Sequence, residues 1–361
     1  MTTPSFKRIV VKIGTNVLTQ ASGLLDITSV SHLVDQIAAL KQQGIEVLVV
    51  TSGAVGAGRS VFPVSSHLSK VVRRQVLASI GQVRLMQLYM QLFGNYNLFC
   101  AQVLATKEDF RDRQHYLNMQ NCLLALLRDN VVPIINENDV IAVSELMFTD
   151  NDELAGMIAS MISADVLTIL STVDGVFDGS PDDPSSMLIP VIDPNDEEIK
   201  RVVLPSKSSF GRGGMSTKLR IAQKCAATGT KTIIANGKRP SILLNILKNN
   251  YVGTTFLPNA TLSNVKKWMA YAQTEHRGII TINQGAAEAL FSKQQIASLL
   301  PIGITHVEGD FEKGDIIRIV GPTGNYLGIG VAQYDFQTTL EWMGQKDKKP
   351  LVHYDYLYVE E

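Results

Sequence analysis

Hydrophobic positions along this chain fall into two textures. From the start to about residue 257, continuous apolar runs alternate with stretches of helical spacing. The runs Ile9 to Ile13, Ile45 to Thr51, Val131 to Ile135, Val166 to Ser171 and Lys231 to Ala235 do not alternate apolar with polar. Such runs predict strands covered on both faces. Between them, Leu33, Val34, Ile37, Ala38 and Leu40 repeat at helical spacing up to Gly44. Leu154, Met157, Ile158 and Met161 form a second set, and Leu219, Ala222, Cys225 and Ala226 a third that ends at Gly229. Alternating β and α elements predict an α/β domain, a mostly parallel sheet sandwiched by helices. The Pro, Asp and Ser clusters of 181–205 read as a surface excursion between two strands of that domain.

After Pro258 the texture changes. Val265 to Tyr271 has the pattern of a short helix, and Glu275-His276-Arg277-Gly278 reads as a junction. Short strand-like pieces follow at Ile279 to Ile282, Gly303 to Val307, Asp315 to Val320 and Tyr326 to Ala332. Turn residues separate them, most clearly Gly321-Pro322-Thr323-Gly324-Asn325. The expected organisation is a first domain over 1–257, a linker over 258–274 and a small β-barrel domain over 275–361.

Composition narrows the class. The chain is 45% hydrophobic and 19% charged with a net charge of -1, so it is globular and has no overall field for nucleic acid or an anionic membrane. Cys100, Cys122 and Cys225 are scattered and form no CxxC pair, which favours a reducing compartment over a disulfide framework or a zinc site. The six histidines form no metal-binding spacing. No secretory leader and no membrane-spanning run is evident, and a cytoplasmic protein is expected.

The candidate chemistry gathers where strands end, since ligands of open α/β sheets sit beyond the carboxyl ends of the strands. Lys12 is a cation inside a buried run, and Gly14 follows it. A buried lysine implies an anion nearby. The second strand ends in Thr51-Ser52-Gly53-Ala54-Val55-Gly56-Ala57-Gly58, small enough for a backbone to approach a ligand. The others end in Asn136-Glu137-Asn138-Asp139 and in Ser171-Thr172-Val173-Asp174-Gly175. Asp150-Asn151-Asp152 precedes the helix containing Leu154, where capping and ligand roles can coexist. Gly211-Arg212-Gly213-Gly214-Met215-Ser216-Thr217-Lys218 runs into another helix. A lysine at the positive end of a helix is electrostatically out of place unless a polyphosphate binds there. The GxxxxGK[ST] and GxGxxG orders are both absent, which disfavours a P-loop enzyme and a Rossmann dehydrogenase.

The runs from Val10 to Leu18, Val50 to Ala54 and Ile135 to Asp139, then Asp150-Asn151-Asp152 and Gly213 to Lys218, occur in an order that resembles the amino acid kinase superfamily. Within it the chain is most similar to the glutamate 5-kinase family, and the part from about Glu275 resembles a PUA domain. The resemblance implies ATP and Mg²⁺ as cofactors and phosphorylation of the side-chain carboxylate of L-glutamate, at the start of proline biosynthesis. It implies catalytic roles for Lys12, Lys218 and Asp152, with the carboxylate orienting the two lysines. It places glutamate on Ser52, Gly53, Asn136, Asp139 and Asn151. Nucleotide contacts fall to Lys12, Ser171, Thr172, Arg212, Gly213, Gly214, Met215, Ser216, Thr217 and Lys218. No metal-ligating residue is implied. At 171–172 the usual Thr-Asp pair is replaced by Ser-Thr, so the hydroxyl is kept and the carboxylate lost. Family members also suggest a homo-oligomer, a dimer or tetramer, inhibited by proline. PUA domains elsewhere bind RNA. Residues 276–361 carry seven Lys/Arg against eleven Asp/Glu, so RNA is not an expected partner.

Overall fold

A computed structural model describes residues 6–65, 67–111, 113–142, 150–193, 214–259, 276–291 and 297–359. The chain divides into two compact units, Met1–Thr261 and Leu262–Glu361. Among the described residues of the first, eight strands form one sheet. Their order is β3 (Cys100–Ala105), β4 (Val132–Glu137), β2 (Glu46–Val50), β1 (Arg8–Ile13), β5 (Val166–Ser171), β7 (Lys231–Asn236), β8 (Gly253–Phe256) and β6 (Val191–Ile192). All pairings are parallel except that of β7 with β8. The five strands that the pattern predicts are all here. Three more go beyond it: β3 is a half-exposed edge strand, and β6 and β8 are short.

Strand β1 shows how a sheet can carry a charge. Its period of two sends Ile9, Val11 and Ile13 into a core shared with helices Ile27–Gln42 and Lys70–Gly94. Val10 and Lys12 therefore point to the other face. Helix Asn151–Met161 packs against β1 and β5 and against helix Met215–Ala227. Every residue from Asp152 to Met161 is buried, which is why the helix is apolar all round apart from its start. Asp150 caps it, its Oδ1 accepting from the backbone N–H of Asp152 at 2.9 Å and of Glu153 at 3.3 Å. The chain reaches this helix from β4 and leaves it into β5, so it crosses β2 and β1 on the way. The crossing brings the capped end of the helix over the carboxyl ends of β4, β2 and β1.

Helix Lys70–Gly94 is the longest element and goes beyond the helices read from the sequence. It buries only eight of its 25 residues, so its apolar stripe is diluted by polar positions. It lies unusually close to helix Ala54–Arg59: a Cβ on Gly81 would sit 1.7 Å from the Ala54 carbonyl, and one on Gly58 2.1 Å from that of Leu77. The glycine at 58 therefore serves helix-to-helix contact rather than the approach to a ligand suggested by the small-residue run. The described part of the 181–205 excursion runs largely exposed to residue 190 and feeds β6, and residues 194–205 lie outside the described residues.

The second unit holds a five-stranded sheet in the order β10 (Ile304–Gly309), β9 (Gly278–Ile282), β11 (Ile316–Val320), β12 (Tyr326–Val331) and β13 (Leu357–Val359). Only β9 with β11 is parallel. Ile280, Ile282, Ile317 and Ile319 enter its core with Phe311, Leu351 and Val352. The β-rich texture is thus realised, with β13 added. The helix expected over Val265 to Tyr271 and most of the expected linker lie outside the described residues.

Candidate active site

Two lysines from distant parts of the first unit meet at one carboxylate. Lys12 Nζ, from β1, lies 2.5 Å from Asp152 Oδ1. Lys218 Nζ, from helix Met215–Ala227, lies 3.0 Å from Asp152 Oδ2. Asp152 is fully buried, and the lysines are 4% and 9% exposed. Burial alone would push the Asp152 carboxyl up, but the ammonium groups of Lys12 and Lys218 override it and hold the carboxyl below its ordinary range. Asp150, two residues earlier, moves the opposite way. Its own burial, and then the charge of Asp152, push it up to about 6. Among the described residues its Oδ2 is buried without a partner. Two lysine ammonium groups held on one carboxylate are fixed and aimed at one place, which suits a polyphosphate.

Beside this centre Asn151 gathers three chain segments. Its Nδ2 donates to the Thr51 carbonyl at 2.7 Å, to Ser52 Oγ at 3.0 Å and to Asn136 Oδ1 at 2.9 Å. The Thr51 carbonyl can only accept and so settles which end of the amide is nitrogen, and among the described residues Asn151 Oδ1 is left buried and unpartnered. Asn136 Nδ2 donates to Gln82 Oε1 at 2.9 Å. Gly53 turns the chain into helix Ala54–Arg59 at φ +96°, a conformation that favours glycine. Gly14 donates its N–H to the Leu170 carbonyl at 3.1 Å and so ties the ends of β1 and β5 together.

Asp139 is engaged by a residue that the sequence reading passes over. Arg74 donates from Nε at 3.1 Å and from Nη2 at 2.7 Å to Asp139 Oδ1, and Nη2 lies 3.6 Å from Glu137 Oε2. Lys107 pairs with Glu153 at 3.3 Å. Arg74 had a sequence signal. Arg74 follows Lys70 and Arg73 near the positive end of a helix that Ser69 caps, the same misfit that singles out Lys218.

Of the residues expected to meet nucleotide, Ser171 ends β5 half-buried, and its carbonyl accepts from the Gly237 N–H at 2.9 Å. Thr172 is exposed. The carboxylate missing at 172 has a neighbour in Asp174, which takes two hydrogen bonds from Arg239 at 2.6 and 2.7 Å and one from Asn236 at 3.2 Å. Gly214, Met215, Ser216 and Thr217 form the turn and first residues of the Lys218 helix. Arg212 and Gly213 lie outside the described residues.

Known proteins share this chain's sequence and fold. A model of the amino acid kinase family matches residues 7–236, and one of the PUA domain matches 278–353. A glutamate 5-kinase of Bacteroides thetaiotaomicron is 49% identical over 358 residues, covering 98% of this chain and 99% of its own. One of Chlorobaculum tepidum is 49% identical over 356 residues, covering 99% of this chain and 98% of its own. Carbamate kinase from Giardia lamblia bound to AMP-PNP shares the fold, with a TM-score of 0.53 at 20% identity over 71% of this chain and 99% of that one. With its two lysines joined through Asp152 and its first unit matched nearly throughout, the chain belongs to the amino acid kinase family and carries a C-terminal PUA domain.

Proposed function

We propose that the protein transfers the γ-phosphoryl group of ATP to the side-chain carboxylate of L-glutamate, giving glutamyl 5-phosphate and ADP as the first step of proline biosynthesis. The observation that carries this reading is the Lys12–Asp152–Lys218 bridge, in a chain whose nearly full-length relatives are named glutamate 5-kinase.

A carboxylate oxygen attacks the γ-phosphorus in line with the departing ADP oxygen. The acceptor is ionised at neutral pH, so no general base is needed. What the reaction does need is fixed positive charge, because two anions must approach. In this reading Lys12 meets the transferred phosphoryl group and Lys218 the β,γ-phosphates, and Asp152 keeps both charged and aimed. Ser52, Gly53, Asn136, Asp139 and Asn151 hold glutamate. Ser171, Thr172 and the stretch from Arg212 to Lys218 hold the nucleotide. Among the described residues, no cluster of three or more His, Cys, Asp or Glu side chains could hold a metal. Magnesium would come with the nucleotide as MgATP and lower the charge of the triphosphate.

The same reading takes the kinase domain as 1–257, the linker as 258–274 and the PUA-like domain as 275–361. It makes the protein a cytoplasmic homo-oligomer inhibited by proline, with a structural or regulatory PUA domain. Among the described residues no helix is long and apolar enough to cross a membrane.

Incubation with MgATP, glutamate and hydroxylamine should yield glutamyl hydroxamate and ADP. Lys12→Ala and Lys218→Ala should each lower kcat by about 10²–10³-fold with an unchanged circular dichroism spectrum. Product with N-acetylglutamate or aspartate but none with glutamate would refute the assignment.

A further inference from the structure

The proposed acceptor carries one charge that the expected binding residues leave unmatched. An α-amino acid has an ammonium and a carboxylate on the same carbon, away from the side-chain carboxylate that is phosphorylated. Asp139 suits the ammonium. The cations of the expected set, Lys12 and Lys218, are held on Asp152, and Arg212 belongs to the nucleotide loop. No cation of that set is left to pair with the α-carboxylate.

Arg74 is placed to do so. Its Nε and Nη2 hold Asp139 Oδ1, and Nη2 reaches toward Glu137. Its side chain is 41% exposed, against 11% for Asp139 and 6% for Glu137, so the guanidinium lies at the open edge of the acidic pair. Among the described residues Nη1 donates to nothing. The strand that delivers Glu137 and the loop that delivers Asp139 continue directly from Asn136, which Asn151 holds beside Ser52. A guanidinium next to a carboxylate is the charge complement of a zwitterionic head group, and the planar fork of arginine fits a carboxylate in two-point fashion. Resting on the glutamate reading, we propose that Arg74 is a specificity-determining residue that binds the substrate's α-carboxylate while Asp139 takes its ammonium group, so that the site selects an amino acid over a simple carboxylate.

Arg74 also helps tie its helix to the 137–140 segment, as does its neighbour Gln75, whose Nε2 donates to the Val140 carbonyl at 2.7 Å. The test must separate recognition from tethering. Glutamate is compared with 4-aminobutanoate, the same molecule without the α-carboxylate, using the full-length chain. The readouts are kcat and KM for glutamate, KM for ATP, and the inhibition constant of 4-aminobutanoate against glutamate. Arg74→Ala should raise KM for glutamate about tenfold to a hundredfold while leaving the other two affinities within about twofold. Arg74→Lys should recover part of the loss, and Gln75→Ala should cause none of it. Equal weakening of both acceptor-site ligands by Arg74→Ala, or the same glutamate defect in Gln75→Ala, would overturn the role. If Arg74→Ala does not fold, Arg74→Gln carries the same comparison. A wild-type protein inactive on glutamate refutes the functional reading and this role together. An active one whose selectivity survives Arg74→Ala refutes only the role of Arg74.

Discussion

Asp150 and Asp152 stand two residues apart at one helix start and are driven in opposite directions, because only one of them touches the lysines. Lys12 and Lys218 hold Asp152 low, whereas burial and the charge of Asp152 push Asp150 up to about 6. A carboxyl raised in the folded state binds its proton more tightly there than in the unfolded chain. Its contribution to stability therefore falls as pH rises from about 4 through about 6. Asp150→Asn keeps the cap, since asparagine caps helices as well as aspartate does, and removes that fall. The variant should match the wild type near pH 4 and exceed it above pH 6 by on the order of 1–2 kcal/mol. Urea denaturation at several pH values checks this, and a difference that does not change with pH would refute it. The sequence showed these carboxylates as cap or ligand candidates. It could not show their opposite shifts, which come from Lys12 and Lys218 arriving from elsewhere in the fold.

At the scale of elements, helix Lys70–Gly94 holds the main lesson. Its two glycines look alike in the sequence, yet Gly81 faces the backbone of helix Ala54–Arg59 and Gly94 faces open space. A methyl group at 81 would meet the Ala54 carbonyl at 1.7 Å and force the helices apart. Gly81→Ala should cost about 2–3 kcal/mol, and Gly94→Ala should be neutral or gain a few tenths. Thermal melting of both variants decides it, and similar losses in the two would contradict the packing account. Strands β1, β2, β4, β5 and β7 were legible because central parallel strands are apolar on both faces. Edge strand β3 and this long helix were not, because each leaves much of its length in water. Arg74 went unread with the helix that carries it.

For the whole molecule, charge sets the expectation. Residues 276–361 carry more acidic than basic side chains, and the chain as a whole is close to neutral. RNA affinity depends on neutralising phosphates, so the full-length protein should not be retained on an RNA column even at about 50 mM salt. Retention that weakens steeply with added salt would refute this and assign the PUA domain a nucleic-acid role.

The amino-acid order alone determined the α/β class, the change of texture after Pro258, and the short runs that mark the family. Each of these is local: apolar periodicity, turn residues and motif spacing are all properties of neighbours along the chain. The family runs implied that Lys12, Lys218 and Asp152 act together, but only the tertiary structure shows how the charges meet. Lys12 joins Lys218 only because the crossover from β4 to β5 carries Asp152 across the end of β1. Arg74 meets Asp139 from a helix that Gly58 and Gly81 let pack closely on helix Ala54–Arg59, a pairing of residues far apart along the chain. Coulomb interactions and close packing act through space, and the chain has no local signal for partners that lie far along it.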